Sequence, residues 1–287
     1  MYYSIYPRLR VIFTYFPDHK TKRSLIEAES LSEFKNKLKG IKLLSRFPLE
    51  SDDLRQFLNN QVFDFSMEIL DMLKKPVSIF FNDFLRIYEL QDIKDAVYGG
   101  AGNFLLFQEG TPDLEAIGDT LAETPWEEGW KQGYKRFQNS GNRMDIEFSL
   151  EANYYPILLN SLDNLSWSDK RITENFIRQW VILVNRLWYY RLSRNYELED
   201  FEIRQYLTAF NIFSEEMDQI KGLNKLEFAD KFYQLCYNTF KREMYTMASI
   251  LAFFHIFRIE VDSISSIYKG LKYNIRKKLI NNVVGEG

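Results

Sequence analysis

The chain has 287 residues, of which 46% are hydrophobic and 27% charged, a balance that excludes an intrinsically disordered polypeptide. Its 37 basic and 40 acidic residues give a net charge of -3, and no basic stripe predicts a nucleic-acid-binding surface. The single cysteine, Cys236, excludes an intramolecular disulfide and any zinc site of the Cys-rich kind.

Long segments without helix breakers predict an all-α protein, because the chain contains only 13 glycines and 7 prolines. Apolar residues three or four positions apart in Phe34–Leu44 and Leu54–Leu73 predict two amphipathic helices. Pro76 predicts the end of the second helix near Leu73 and the start of another. The same spacing continues through Ile177–Leu192 and in 228–240.

Three interruptions divide this helical pattern. Glycines lie at 99, 100 and 102, small polar residues at 139–142, and an asparagine with an acidic run at 195–200. They predict three helical lobes, residues 1–102, 103–196 and 197–287, the third of them shortened. We expect Gly99 and Gly270 to end helices in the left-handed conformation, so that alanine would cost on the order of 1 kcal/mol at each.

A helix-capping motif recurs once in each predicted lobe. It begins at Ser30, Thr124 and Asn224, and a glutamate follows three positions later, as Glu33, Glu127 and Glu227. In such a capping box the first side chain accepts from the amide three residues on, and the glutamate reaches back to the cap amide. Pro125 is predicted at the first helical position of the second copy.

A second motif recurs after the capping motif. Glu89–Gly99 and Glu260–Gly270 have a glutamate, an isoleucine and a glycine at the same offsets, and an aromatic-rich helix precedes each. Ile177–Leu192 fits as a middle copy but lacks the glutamate and the glycine. Two motifs in the same order predict three divergent copies of one helical unit. Chance similarity among amphipathic helices is the alternative.

With these residues the chain resembles the C/d family of V/A-type ATPase subunits, whose members are designated C in archaea and bacteria and d in eukaryotes. The family signature is an apolar stretch that ends in aromatic residues, a charged turn and an amphipathic helix that ends in Lys-Gly. Here it corresponds to Ile250–Val261 followed by Ile264, Ile267, Lys269 and Gly270. Looser similarity lies in Tyr3, Tyr6, Arg8 and Val11, in Leu25–Leu38, in Gly110, Thr111 and Leu114, in Glu151–Tyr155, and in a closing helix over 275–284.

The resemblance implies a fold of three helical lobes arranged as a pseudo-threefold funnel. It also implies a non-catalytic central-stalk adaptor that couples the central shaft to the proteolipid rotor ring, for ATP-driven proton or other ion transport or for ATP synthesis. The shaft proteins and the ring would be the partners, with no nucleotide or cofactor bound by this chain. The interval 224–260 is shorter than the matching interval 30–89, so contact residues cannot be carried over.

The longest apolar run, Met247–Phe257, falls short of the roughly 20 residues that cross a bilayer, and residues 1–10 lack the apolar region of a signal peptide. We therefore expect a cytoplasmic protein without a transmembrane segment, peripheral to the cytoplasmic face of the cell membrane. The basic run 269–278 is expected to lie in the last turns of a helix, with contact to anionic lipid or an acidic partner as the alternative.

The sequence assigns no catalytic, cofactor-binding or metal-binding residue. His19 and His255 have no metal-pair spacing, and His255 and Cys236 are predicted as core residues. The glycines at 99–102 lack the Gly-Lys-Ser/Thr ending of a phosphate loop.

Two alternative functions stay open. An all-α isoprenoid synthase would need aspartate clusters for magnesium, of which 52–53 and 211–218 show only parts. A helical scaffold that binds peptides would need shorter and more regular repeats.

Overall fold

A computed structural model describes residues 2–45, 53–100, 113–209 and 222–275. These residues form twelve α-helices and two short 3-10 helices, with no β-strand among them, so the predicted all-α class is confirmed. The α-helices are α1 (Ile5–Phe13), α2 (His19–Ile26), α3 (Leu31–Leu38), α4 (Leu54–Met72), α5 (Val77–Val97), α6 (Leu114–Leu121), α7 (Glu127–Ser140), α8 (Met144–Asn160), α9 (Trp167–Asn195), α10 (Asp200–Ala209), α11 (Lys225–Arg242) and α12 (Met247–Lys272). The 3-10 helices are Lys42–Leu44 and Ser161–Asn164.

The predicted helix boundaries are mostly confirmed. The second predicted helix is α4, which ends at Met72, and α5 begins directly after Pro76. The interruptions predicted at 139–142 and 195–200 coincide with helix ends, since α7 ends at Ser140 and α9 at Asn195, and the one at 99–102 begins two residues after the end of α5. The helix predicted over 34–44 is wrong in its second half, because α3 ends at Leu38 and a 3-10 helix occupies Lys42–Leu44.

The two glycine predictions have opposite outcomes. Gly99 has a φ of +81° directly after α5 and donates its amide to the Ala96 carbonyl, as predicted for a helix end. Gly270 lies inside α12, which continues to Lys272, so the prediction of a left-handed glycine there is wrong. The left-handed residue after α12 is Asn274, with a φ of +54°. Asparagine adopts this conformation more readily than other side-chain-bearing residues, so the helix can end without a glycine.

The chain folds into two compact units. Unit 1 comprises Met1–Phe65, Asn175–Leu207 and Glu215–Gly287, and unit 2 comprises Ser66–Glu174 and Thr208–Ser214. The division into three lobes at 102 and 196 stays a prediction.

The core of unit 1 surrounds α12, whose residues from Met247 to Phe257 are all buried. The four-residue connection 243–246 places α11 alongside α12, and α1, α2 and α3 also pack on α12. Phenylalanine rings dominate the contact: the ring of Phe253 lies 5.7 Å from that of Phe240 and 5.8 Å from those of Phe16 and Phe65. Rings at these separations add attraction to the area that they bury.

Unit 2 contains α5, α6, α7 and α8, and its closest contact is between α7 and α8. A Cβ atom on Gly133 of α7 would lie only 2.7 Å from the Ile146 Cα of α8. The absent side chain therefore lets the two helix backbones approach each other.

Several sequence predictions fall outside the described residues. They are the linker at 110–111, the magnesium-motif resemblance at 211–218, Asp52, Gly102, and all but the first residue of the closing helix predicted over 275–284. The basic run is described only as far as Lys272, in the last turn of α12.

Candidate functional site

The recurring capping motifs all lie at helix starts, but only one is a complete capping box. The Asn224 side chain accepts from the Leu226 and Glu227 amides, and Glu227 accepts from the Asn224 amide over 3.0 Å. Ser30 accepts from the Glu33 amide, while Glu33 accepts from the amide of Glu29 rather than that of Ser30.

The Thr124 copy departs further from the prediction. Its hydroxyl accepts from the Trp126 amide, and Glu127 accepts from the Glu123 amide. Pro125 lies in the turn before α7 instead of at its first position. The helix starts later because the Glu127 amide bonds to the Thr124 carbonyl in a tight turn.

The second recurring motif lies on long helices, and the glutamate of its first copy binds the second capped segment. Trp126, next to the start of α7, donates from Nε1 to Oε2 of Glu89 on α5 over 2.8 Å. The Arg86 guanidinium approaches the same oxygen at 3.4 Å. Glu89 thereby joins two helices whose bonded residues are 37 positions apart in the chain.

The third capped segment contacts the long helix of the middle copy through other groups. Leu223, directly before the Asn224 cap, donates its amide to the Arg186 carbonyl of α9 over 3.0 Å. The Phe232 ring of α11 stacks on the Trp180 ring of α9 with centroids 6.0 Å apart. The middle copy lacks a glutamate, and a backbone hydrogen bond and an aromatic stack make the contact instead.

The first capped segment and the helix α2 that precedes it both contact the long helix of the third copy. Lys22 Nζ, on α2, lies 2.8 Å from both carboxylate oxygens of Glu260 on α12, with hydrogen-bond geometry to Oε1. The Phe34 ring of α3 lies 5.9 Å from the Tyr268 ring of α12. Capped segments 2, 3 and 1 therefore pack against the long helices of copies 1, 2 and 3.

The Lys22–Glu260 ion pair is almost fully enclosed. The side chains of Lys22 and Glu260 are 15% and 3% exposed. Burial raises the pKa of Glu260, and the nearby Lys22 ammonium offsets this only partly. Burial, with a smaller contribution from the Glu260 charge, also raises the pKa of Tyr233 to about 12.

A second buried charge cluster joins α5 to α8 in unit 2. The Lys94 ammonium lies 2.9 Å from a carboxylate oxygen of Glu147 and also bonds Glu151, while Tyr98 donates to Glu147 over 2.9 Å. Burial lowers the pKa of Lys94, but the carboxylates of Glu151 and Glu147 outweigh it and raise that pKa overall. Burial, together with the Glu151 charge, raises the pKa of Tyr155 well above its usual value.

The side chains of Cys236 and His255 are both enclosed in the core. Cys236 is fully buried, and burial raises the pKa of its thiol well above the usual value, which disfavours the reactive thiolate. His255 is enclosed by Trp180 and Phe232, at ring-centroid distances of 4.4 Å and 5.0 Å. Burial lowers the pKa of His255 to about 3, so its ring is neutral at pH 7. The prediction that both are core residues is confirmed.

The described part of the chain carries neither a metal-binding cluster nor a membrane-spanning helix. No three histidine, cysteine, aspartate or glutamate side chains in residues 2–45, 53–100, 113–209 and 222–275 form a group that could hold a metal ion. No helix within those ranges combines the length and the hydropathy needed to cross a bilayer.

Sequence patterns indicated some members of these clusters and missed others. Glu89, Glu260 and the segment 151–155 carried the recurrence and the resemblance, and Glu151 does contact α5 through Lys94. Lys22, Lys94 and Glu147 were missed, because no local pattern marks them. No known family model matches this chain, and no curated protein is significantly similar to it.

Proposed function

We propose that this chain is a non-catalytic central-stalk adaptor of a rotary V/A-type ATPase. In this role it would join the central shaft to the proteolipid rotor ring at the cytoplasmic face of the membrane. Torque would pass through it between the ATP-handling head and the ion-translocating ring, and the chain itself would bind no nucleotide. The three lobes of the family fold are part of the proposal.

The observation that carries the proposal is the threefold succession of contacts. Capped segment 2 packs on the long helix of copy 1 through Trp126 and Glu89. Capped segment 3 packs on that of copy 2 through Phe232 and Trp180, and capped segment 1 on that of copy 3 through Phe34 and Tyr268. Three related units in cyclic order would make this succession, to which copy 3 adds the packing of α11 on α12 of its own copy. The contacts thereby support the internal repeat on which the resemblance rests.

The enclosed contacts also suit a part that transmits torque. A coupling must deform little under load, and close-packed interiors transmit strain because their side chains have little room to move. Lys22–Glu260 and the Lys94 cluster fix helices that are far apart in sequence, and separation of either would leave charges buried without their partners. The phenylalanine rings around α12 add directional packing.

The test is affinity purification of the tagged chain from its native membranes, followed by mass spectrometry. The expected result is recovery of the proteolipid of the ring and a coiled-coil shaft protein in stoichiometric amounts. An identically tagged, unrelated all-α protein of similar size serves as the control. Recovery of neither partner would refute the adaptor function. Magnesium-dependent release of diphosphate by the pure protein would instead support the isoprenoid synthase alternative.

A further inference from the structure

One end of unit 1 exposes aromatic and apolar side chains beside cations. The side chains of Tyr3, Met244 and Tyr245 are exposed, with relative exposures of 75%, 53% and 42%. The Tyr3 and Tyr245 rings lie 4.9 Å apart, so the start of α1 meets the turn between α11 and α12. These residues form one exposed patch at the end of the α11–α12 hairpin, which we call the tip.

The cations lie around the same tip. The Arg10 guanidinium is 5.9 Å from the centre of the Phe240 ring, and the Lys241 ammonium is 4.5 Å from that of Tyr237. Both charges act on the phenol of Tyr6, whose ring is 5.0 Å from that of Tyr245. Arg242 follows Lys241 and is also exposed. We call Tyr3, Arg10, Lys241, Arg242, Met244 and Tyr245 together the aromatic-cationic surface.

The charge of this surface is not neutralised within the described part of the chain. No carboxylate of those residues forms an ion pair with Arg10, Lys241 or Arg242, although Glu243 lies in the adjoining turn. Lys241 and Arg242 also favour the C-terminal end of α11 electrostatically. That role does not account for the two exposed rings or for Met244.

One of the two exposed rings belongs to a residue with a strained backbone conformation. Tyr245 has a φ of +62°, a left-handed conformation that costs a side-chain-bearing residue about 1 kcal/mol or more. Glycine or asparagine would occupy this turn position more readily. Tyr245 occupies it nonetheless, with its ring against those of Tyr3 and Tyr6 and 42% of its surface exposed.

We propose that the aromatic-cationic surface binds a membrane surface that contains anionic lipids. Tyrosine rings are stable at the level of lipid headgroups, and methionine can enter the acyl region beneath them. The three cations would attract anionic headgroups. An anionic bilayer surface accounts for the exposed rings and Met244 together with the cations, whereas an acidic peptide would account for the cations alone. The proposal does not depend on the adaptor function. It can be tested with lipid vesicles, which contain no ATPase components.

Vesicle flotation of the full chain tests the proposal. We expect the chain to bind vesicles of phosphatidylcholine that contain about 30% phosphatidylglycerol, because that fraction gives the vesicle a negative surface. We expect little binding to vesicles of phosphatidylcholine alone. The variant Lys241→Gln/Arg242→Gln should bind about thirtyfold more weakly, since each cation contributes roughly a fivefold factor. The variant Met244→Ser/Tyr245→Asn should also bind more weakly while its circular dichroism spectrum stays that of the wild type.

The matched control is an exposed aromatic-cation pair in unit 2, Trp167 and Arg171, where the Trp167 side chain is 76% exposed. The variant Trp167→Ser/Arg171→Gln should bind the anionic vesicles as the wild type does. Equal binding to both kinds of vesicle, or full binding by the Lys241→Gln/Arg242→Gln variant, would overturn the proposal. Binding to polyglutamate without binding to vesicles would overturn it too and would point to an acidic protein partner.

Discussion

The ammonium of Lys22 lies 2.8 Å from both carboxylate oxygens of Glu260, although 238 positions separate the two residues in the chain. The pair joins the second helix to the last described one. Burial nevertheless raises the pKa of Glu260, so the lysine only partly offsets the cost of enclosing the carboxylate.

We expect Lys22→Met to lower the free energy of unfolding by about 3 kcal/mol at pH 8, because it leaves Glu260 buried without its cation. The loss should be smaller at pH 5. A carboxyl group whose folded-state pKa is raised contributes stability that is complete below its unfolded pKa of about 4.5 and is lost as the pH rises through the folded pKa. Removal of Lys22 raises that folded pKa further. Urea unfolding of the variant and the wild type at both pH values measures the difference.

Two controls accompany this experiment. Lys131→Met breaks an exposed ion pair with Glu127 and should cause no measurable change. Lys22→Met/Glu260→Leu removes the whole buried pair and should recover most of the loss, since no charge is then left unpaired. A loss of the same size at pH 5 and pH 8 would contradict the explanation.

The Lys94 cluster should be similarly sensitive to loss of its cation. Lys94→Met leaves Glu147 and Glu151 facing each other in a largely buried site and is expected to cost about 3–5 kcal/mol. Addition of Glu151→Gln should recover part of this loss, because Tyr98 still donates to the remaining carboxylate of Glu147. Chemical denaturation of the single and double variants at pH 7 tests both expectations, and additive losses would count against a shared cluster.

The close approach of α7 and α8 should make Gly133 intolerant of alanine. The added Cβ would lie 2.7 Å from the Ile146 Cα and 3.0 Å from the Asp145 carbonyl oxygen, both of which are backbone atoms. The helices must then separate, and we expect Gly133→Ala to cost about 1–3 kcal/mol and to lower the Tm. At Gly40 a Cβ would lie 3.5 Å from its nearest neighbour, an ordinary contact, so Gly40→Ala is the matched control. Equal melting temperatures for the two variants would refute the steric explanation.

His255 should remain neutral over the usual pH range. Burial lowers its pKa to about 3 from 6.5, so the folded protein resists its protonation. The stability that it contributes is therefore complete above pH 6.5 and is lost as the pH falls towards 3. In a His19→Gln variant, the one remaining histidine should show an unchanged NMR ring resonance between pH 5 and pH 8. His255→Leu should weaken the fall in stability below pH 6.5, and an unaltered fall would contradict the assignment.

The sequence predicted those features that depend on neighbouring residues. The extent of α4 and the complete capping box at Asn224 follow from interactions within four positions, which a sequence pattern displays directly. The Thr124 box was misplaced because a preceding tight turn takes the amide that the box would use. Gly270 was misassigned because α12 passes through it and ends near an asparagine that serves the same purpose.

The sequence predicted only some residues of the candidate site, because the remaining contacts join residues that are far apart in the chain. Recurrence indicated Glu89 and Glu260, but it could not indicate the groups that bind them. Trp126 and Lys22 reach these glutamates only after helices have packed, and their positions in the sequence follow no spacing rule. Lys94 and Glu147 meet through the contact of α5 with α8, which no periodicity reveals.

The packing of α1, α2 and α3 against α12 has a consequence for biosynthesis. The ribosome synthesises α1, α2 and α3 long before α12. The apolar faces of these three helices therefore lack their packing partner during most of translation. Unit 2 is drawn mainly from one continuous stretch, 66–174, and its helices emerge close together in time. Unit 2 can therefore assemble while the chain is still growing, whereas the core of unit 1 is completed only after α12 has been synthesised.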